Sequence, residues 1–158
     1  MAGDSPVMKV NRASVIAALA LAMEEGIRAA QAAFEELQGS LEGESKSTAG
    51  DKHETGRAMV QMEMEQAAAR LNRVEGMVRG WKAMDPNAPR DVVGPGAIVA
   101  TDHGGFVIGV AWGTFQVPDA TDWRGISSDA PLALALRGCQ AGEAVTFRGR
   151  SWNIVEVG

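Results

Sequence analysis

Few side chains in this sequence have the type and spacing for chemistry, and the densest group is Gly50-Asp51-Lys52-His53-Glu54. Asp51 and Glu54 are three residues apart, so on a helix both carboxylates lie on one side. Two readings follow. Acids favour helix N-termini, and an acid followed three residues later by Glu fits a capping box. Alternatively the two are metal ligands, but Mg²⁺ wants six oxygens in octahedral array, so two carboxylates on an exposed tip hold it only when another molecule supplies the rest. His53 stands between them without a defined role. His103, in Thr101-Asp102-His103-Gly104-Gly105, reads as part of a polar hairpin turn. Cys139 follows the C-terminal end of a predicted short helix, an end that disfavours a thiolate.

The elements that must position Asp51 and Glu54 are long helices. Ile16, Ala20, Met23, Ile27, Ala30, Phe34, Leu37 and Leu41 recur at alternating steps of four and three, a heptad seam. Val60, Met64, Ala67, Leu71, Val74, Val78 and Trp81 repeat that step after a polar interruption at Gly43–Gly50. Two runs of equal length joined by a short polar turn fold back as an antiparallel hairpin, each burying the other's seam. The alanine-rich seam fits half of a dimeric four-helix bundle equally well, so monomer or dimer stays open. Glu24 with Arg28, and Glu75 with Arg79, have the spacing of helical ion pairs.

Composition changes at Asp85-Pro86-Asn87-Ala88-Pro89, a linker by its prolines. We place a domain boundary there, with 1–85 as a hairpin bearing an acidic tip and 86–158 as a second domain. In the latter, Ala97–Ala100, Phe106–Trp112, Thr114–Val117, Ala144–Phe147 and Trp152–Val157 read as strands, divided by turn dipeptides such as Gly104-Gly105 and Arg148-Gly149. A short helix is expected over Asp129–Gly138, with a polar cap, Pro131 near its first turn and Gly138 after its last. The fold class is α+β.

The 158 residues leave no room for a large multidomain enzyme. A net charge of −5 and a pI near 5.0 argue against tight duplex DNA binding. One cysteine allows neither an intrachain disulfide nor a cysteine-based zinc cluster. The Ala-rich run carries Glu24, Glu25 and Arg28 too early for a bilayer span, and the start shows no targeting pattern, so a cytoplasmic protein is expected. No P-loop, Gly-x-Gly-x-x-Gly, His-Glu-x-x-His or Gly-x-Ser-x-Gly is present, which points away from a standalone enzyme.

Two stretches resemble the GreA/GreB transcript cleavage factors of bacterial RNA polymerase. Gly50-Asp51-Lys52-His53-Glu54 is similar to that family's Gly-Asp-x-x-Glu tip motif. Ala130-Pro131-Leu132 through Leu136-Arg137-Gly138, with Gly142-Glu143-Ala144-Val145, resembles its C-terminal signature, and the ending Trp152–Val157 also fits. The resemblance implies a coiled coil followed by an FKBP-like domain, and RNA polymerase as partner. It also implies insertion of the coiled coil into the secondary channel, where Asp51 and Glu54 would help hold a Mg²⁺ shared with the polymerase and stimulate cleavage of backtracked RNA. On this reading the chain is an accessory factor with no enzyme activity or cofactor of its own. Where the family continues Asn-Ala-Glu-Tyr, this chain has Thr55-Gly56-Arg57-Ala58, and it contains no tyrosine. That departure sets two alternatives beside cleavage: a channel-binding regulator or inhibitor, or a coiled-coil adaptor unrelated to transcription whose tip acids only cap a helix.

Overall fold

In the computed structural model, residues 11–45, 50–118 and 122–158 are described. Helices α1 (Arg12–Ser45) and α2 (Gly50–Ala83) are each 34 residues long, about 50 Å at 1.5 Å per residue. They continue further into the interruption than the sequence suggests; residues 46–49 lie outside the described residues. Strands β1 (Ile98–Thr101), β2 (Gly104–Ile108), β3 (Gly113–Phe115) and β4 (Trp123–Ile126) follow, then α3 (Pro131–Leu136), β5 (Ala144–Phe147) and β6 (Arg150–Val157). The chain is thus α+β: two long helices, then one six-stranded mixed sheet.

The chain divides into two compact units, one holding Met23–Gly76 and the other the residues up to Ala22 together with Met77–Gly158. In the first unit, burial along α1 follows the heptad step: Met23 and Ala30 are buried, and Ile27, Phe34, Leu37 and Leu41 are half-buried. On α2 it follows Val60, Met64, Ala67, Leu71 and Val74, all half-buried. Neither Glu24 and Arg28 nor Glu75 and Arg79 close to ion-pair distance. An exposed pair gains only about 0.3–0.5 kcal/mol against the entropy of holding two long side chains.

In the second unit the helix ends bury Val15, Leu19, Val78 and Trp81. Here α1 departs from the predicted seam, since Ala20 is exposed and Ile16 only half-buried. The buried stripe has turned by one residue, which at Leu19 puts more apolar area inside than Ala20 offers, while Val15 takes the place of the larger Ile16. The sheet order is β3-β4-β2-β1-β6-β5, antiparallel except for β2 beside β4. Alternation along the strands sends Val99, Phe106 and Ile108 to one face, where they meet Ala133 and Leu136 of α3, with Val93, Ala97, Trp152 and Ile154 completing the core. Ile98 and Val107, on the other face, are also wholly buried, so both faces are covered.

Three local readings need correction. Gly104 and Gly105 lie within β2, and the turn before it is made by Asp102-His103. The strand β4 carries too few β-branched residues to be seen in the sequence. The start of α3 has Ala130 at its N-cap with no side-chain hydrogen bond, leaving Pro131 and the positive φ of Gly138 as its boundary signals. Arg148-Gly149, with φ of 52° and 74°, makes the predicted β5–β6 turn, both residues having the left-handed backbone of a type I′ hairpin.

The linker is held by arginines. Arg90 donates to the carbonyls of Met84, Asp85 and Ala88, and Arg12 to those of Pro86 and Gly96. Burial, with Arg90 nearby, pulls the pKa of Arg12 down, against an opposing pull from Asp85. Among the described residues, no helix is long and apolar enough to cross a membrane.

Candidate functional site

The acidic tip is placed by the start of α2. Helix begins at Gly50, so the backbones of Asp51 and Glu54 fall in its first turn, and their three-residue spacing puts them on one side of the helix. The side chains of Asp51, His53 and Glu54 lie outside the described residues. Arg57, one turn further on, is half-buried. As a donor set, two carboxylates suit a hard, oxygen-seeking cation as part of a shared shell. Among the described residues, no group of three or more His, Cys, Asp and Glu side chains is placed to hold a metal ion.

A second candidate, missed by sequence reasoning, lies in the sheet domain. His103, Gly104, Gly105, Phe106, Thr114, Asp122, Arg124, Leu132 and Trp152 line a cleft of about 270 Å³. Sheet register explains how it forms: Phe106 pairs with Arg124 across the parallel β2–β4 ladder, and Arg124 pairs with Thr114 across β3–β4, so three strands deliver one row of side chains. The signal available in the sequence was the concentration of aromatic residues, His103 and arginine in short strands.

His103 is fixed at the mouth of this cleft by its turn. Thr101 Oγ1 donates to the Gly104 carbonyl at 2.8 Å and accepts from His103 N–H at 3.1 Å. The ring Nε2 lies 2.9 Å from the Ser151 carbonyl, which only accepts, so that nitrogen carries the proton. The imidazole stands edge-on to Trp152, centroids 4.7 Å apart, and Phe106 is tilted against the same indole at 5.9 Å. Asp102, 3.6 Å from His103 Nε2, accepts from the Asn153 backbone at 2.9 Å and from its side-chain amide at 2.7 Å. Those bonds, the backbone one first, hold the carboxyl of Asp102 below the usual carboxylate range. Trp152 Nε1 is buried and has no hydrogen-bond partner among the described residues. The arrangement brings His103 into a structured turn, as the sequence predicts, and adds an aromatic recess beside it.

Cys139 is half-buried, and burial, followed by the charge of Glu143, raises its thiol pKa, so the thiolate is disfavoured as expected. A larger cleft of about 500 Å³ is lined by Ser14, Ala17, Ala18, Leu21, Gln116, Val117 and Pro118, with no ionisable side chain among the described residues. No protein-family model matches the chain, and no curated protein matches it.

Proposed function

We propose that this protein is an RNA polymerase-binding elongation factor. Its α1–α2 pair acts as an antiparallel coiled coil entering the secondary channel, and its sheet domain is FKBP-like. Asp51 and Glu54 are the residues delivered to the polymerase site, where Mg²⁺ would supply charge stabilisation and polarise water for cleavage of backtracked RNA. The protein's own contribution is to position the two carboxylates and complete a ligand shell that neither partner fills alone.

The observation that carries this reading is the matched length of α1 and α2, 34 residues each, with the Gly-Asp-x-x-Glu sequence opening the second. A helix pair of that length reaches an active site through a narrow channel, whereas a capping box needs no such reach. The heptad rhythm of burial on both helices supports pairing along this length. Order along the chain, long helices before a sheet with one short helix, also agrees with the resemblance.

The test is a backtracked elongation complex assembled with the host polymerase, scored for shortened RNA and, separately, for binding. The parent chain should stimulate cleavage. Asp51→Asn and Glu54→Gln should bind within about twofold of the parent and cleave at least about tenfold more slowly, a loss of about 1.4 kcal/mol in transition-state stabilisation. Equal cleavage by all three removes the ligand role. A second reading rests on Thr55-Gly56-Arg57-Ala58 and the missing tyrosine: the chain occupies the channel as a regulator, and the parent then slows extension without cleaving.

A further inference from the structure

One edge of the sheet is open at β5. That strand ends the strand order, with β6 on one side and no strand on the other among the described residues. The hairpin decides which backbone groups face the open side. Its two-residue turn, Arg148-Gly149, makes Phe147 and Arg150 a hydrogen-bonded pair, and alternation makes Val145 and Trp152 the next. The bond from the Ile154 N–H to the Glu143 carbonyl, 2.8 Å, continues the same alternation. The N–H and C=O groups of Ala144 and Thr146 therefore point outward, and both residues are exposed. Val145 and Phe147 alternate to the other face, where they are half-buried against the core.

Outward backbone groups in that array match an extended strand, and the charges at the two ends of β5 select which one. Glu143 precedes the strand and Arg148 follows it. The Glu143 Oε1 accepts from the Gln140 N–H at 2.8 Å, which leaves Oε2 to accept from another donor. The Arg148 guanidinium lies 5.0 Å from the centre of the Phe147 ring. We infer that this chain self-associates by continuing its sheet through β5, as an antiparallel β5–β5 pair with Val145 on the two-fold axis. Ala144 of each copy then pairs with Thr146 of the other, forming four backbone hydrogen bonds. In this register Glu143 falls opposite Phe147 of the other copy, beside the guanidinium that covers that ring, and the symmetry makes the ion pair twice. Val145 meets its own counterpart and covers apolar surface that one chain leaves half exposed. An unrelated extended segment satisfies the backbone without satisfying both charged ends. The pairing uses neither Asp51 nor Glu54, so it stands or falls apart from the cleavage reading.

Sedimentation equilibrium of the full chain, from about 10 μM to about 1 mM, tests this. The average mass should rise from 16.6 kDa toward twice that value, with Kd on the order of 0.1 mM because a pair of four-residue strands makes a small interface. Thr146→Pro removes an outward N–H and no bond to β6, so the chain should stay folded and its association should weaken at least about tenfold. Glu143→Arg and Arg148→Glu should each weaken self-association by a similar factor, since each sets like charges against one another at both ends. Mixed in equal amounts, those two variants should associate as the parent does, because each end again joins a carboxylate to a guanidinium. The proposal is overturned if the parent stays monomeric at about 1 mM, or if the mixture associates no better than either variant alone. Association that survives Thr146→Pro places the contact elsewhere, on the helices for example, and also overturns it.

Discussion

At the scale of single residues, two positions in the sheet domain are set by contacts that few other side chains could make. A Cβ on Gly105 would lie 2.4 Å from Trp123 Cδ2, against an indole that is 2 % exposed and has no room to retreat. Gly105→Ala should therefore cost about 1–3 kcal/mol, the range for overpacking, and lower the thermal midpoint. An unchanged midpoint would mean that the indole moves freely. Asp102 makes a different kind of prediction. Its folded pKa is depressed, so its contribution to stability is present above the unfolded value, about 3.9, and is lost as pH falls from there through the folded pKa. Asp102→Asn should flatten that acid limb in a series of thermal melts, with little change of slope near neutrality; a limb identical to the parent's would remove Asp102 from the account. Neither feature is visible in sequence. Gly104-Gly105 looks like a turn because glycine signals turns, whereas here one of the pair is demanded by an indole packed over a strand.

At the scale of elements, the helices were legible and the sheet partly so. Val60, Met64, Ala67, Leu71, Val74, Val78 and Trp81 follow the predicted stripe throughout α2, because a heptad pattern is a property of one helix and needs no knowledge of its neighbours. On α1 the pattern fails where the helix joins the sheet-containing unit, and Val15 and Leu19 replace Ile16 and Ala20. That shift depends on which surface is met, which periodicity does not encode. Strand β4 was missed for a related reason: Trp123-Arg124-Gly125-Ile126 is placed by the parallel partner β2, and Gly125 is required by the close approach of the Val110 carbonyl. The helical backbone at Asp51 and Glu54 follows from the sequence pattern, and the aromatic cleft does not, since its lining comes from β2, β3, β4, α3 and β6. Burial also grades the helix seam. Trp81 is 3 % exposed, so Trp81→Ala should cost about 3–5 kcal/mol. Leu71 is only half-buried, so Leu71→Ala should cost less, about 1–2 kcal/mol. Denaturant titrations compare the two directly, and a larger loss at Leu71 would contradict this grading.

At the scale of the whole molecule, burial is distributed unevenly between the two compact units. Every buried apolar residue of the described structure belongs to the unit holding the sheet and the helix ends, apart from Met23 and Ala30. The unit Met23–Gly76 carries mostly half-buried and exposed side chains on its two helix segments, and Gly26, Gly39, Gly43, Gly56 and Gly76 each cost about 1 kcal/mol against alanine in a helix. Local stability follows buried apolar contact, so this unit should open more easily than the sheet without global unfolding. Native-state hydrogen exchange measures that difference. Amides at Leu37, Leu41, Val60 and Met64 should exchange at least about tenfold faster than those at Ile98, Val107 and Ile154, a gap of about 1.4 kcal/mol or more. Their exchange should respond weakly to denaturant, because sub-global opening exposes little surface. Equal protection in both units, with the same denaturant dependence, would show one cooperative structure and reject the division. If the polymerase reading holds, adding the polymerase should slow exchange in Met23–Gly76 most, since a channel encloses the unit with the most protection to gain. Protection confined to the sheet domain would place the partner's contact away from the acidic tip.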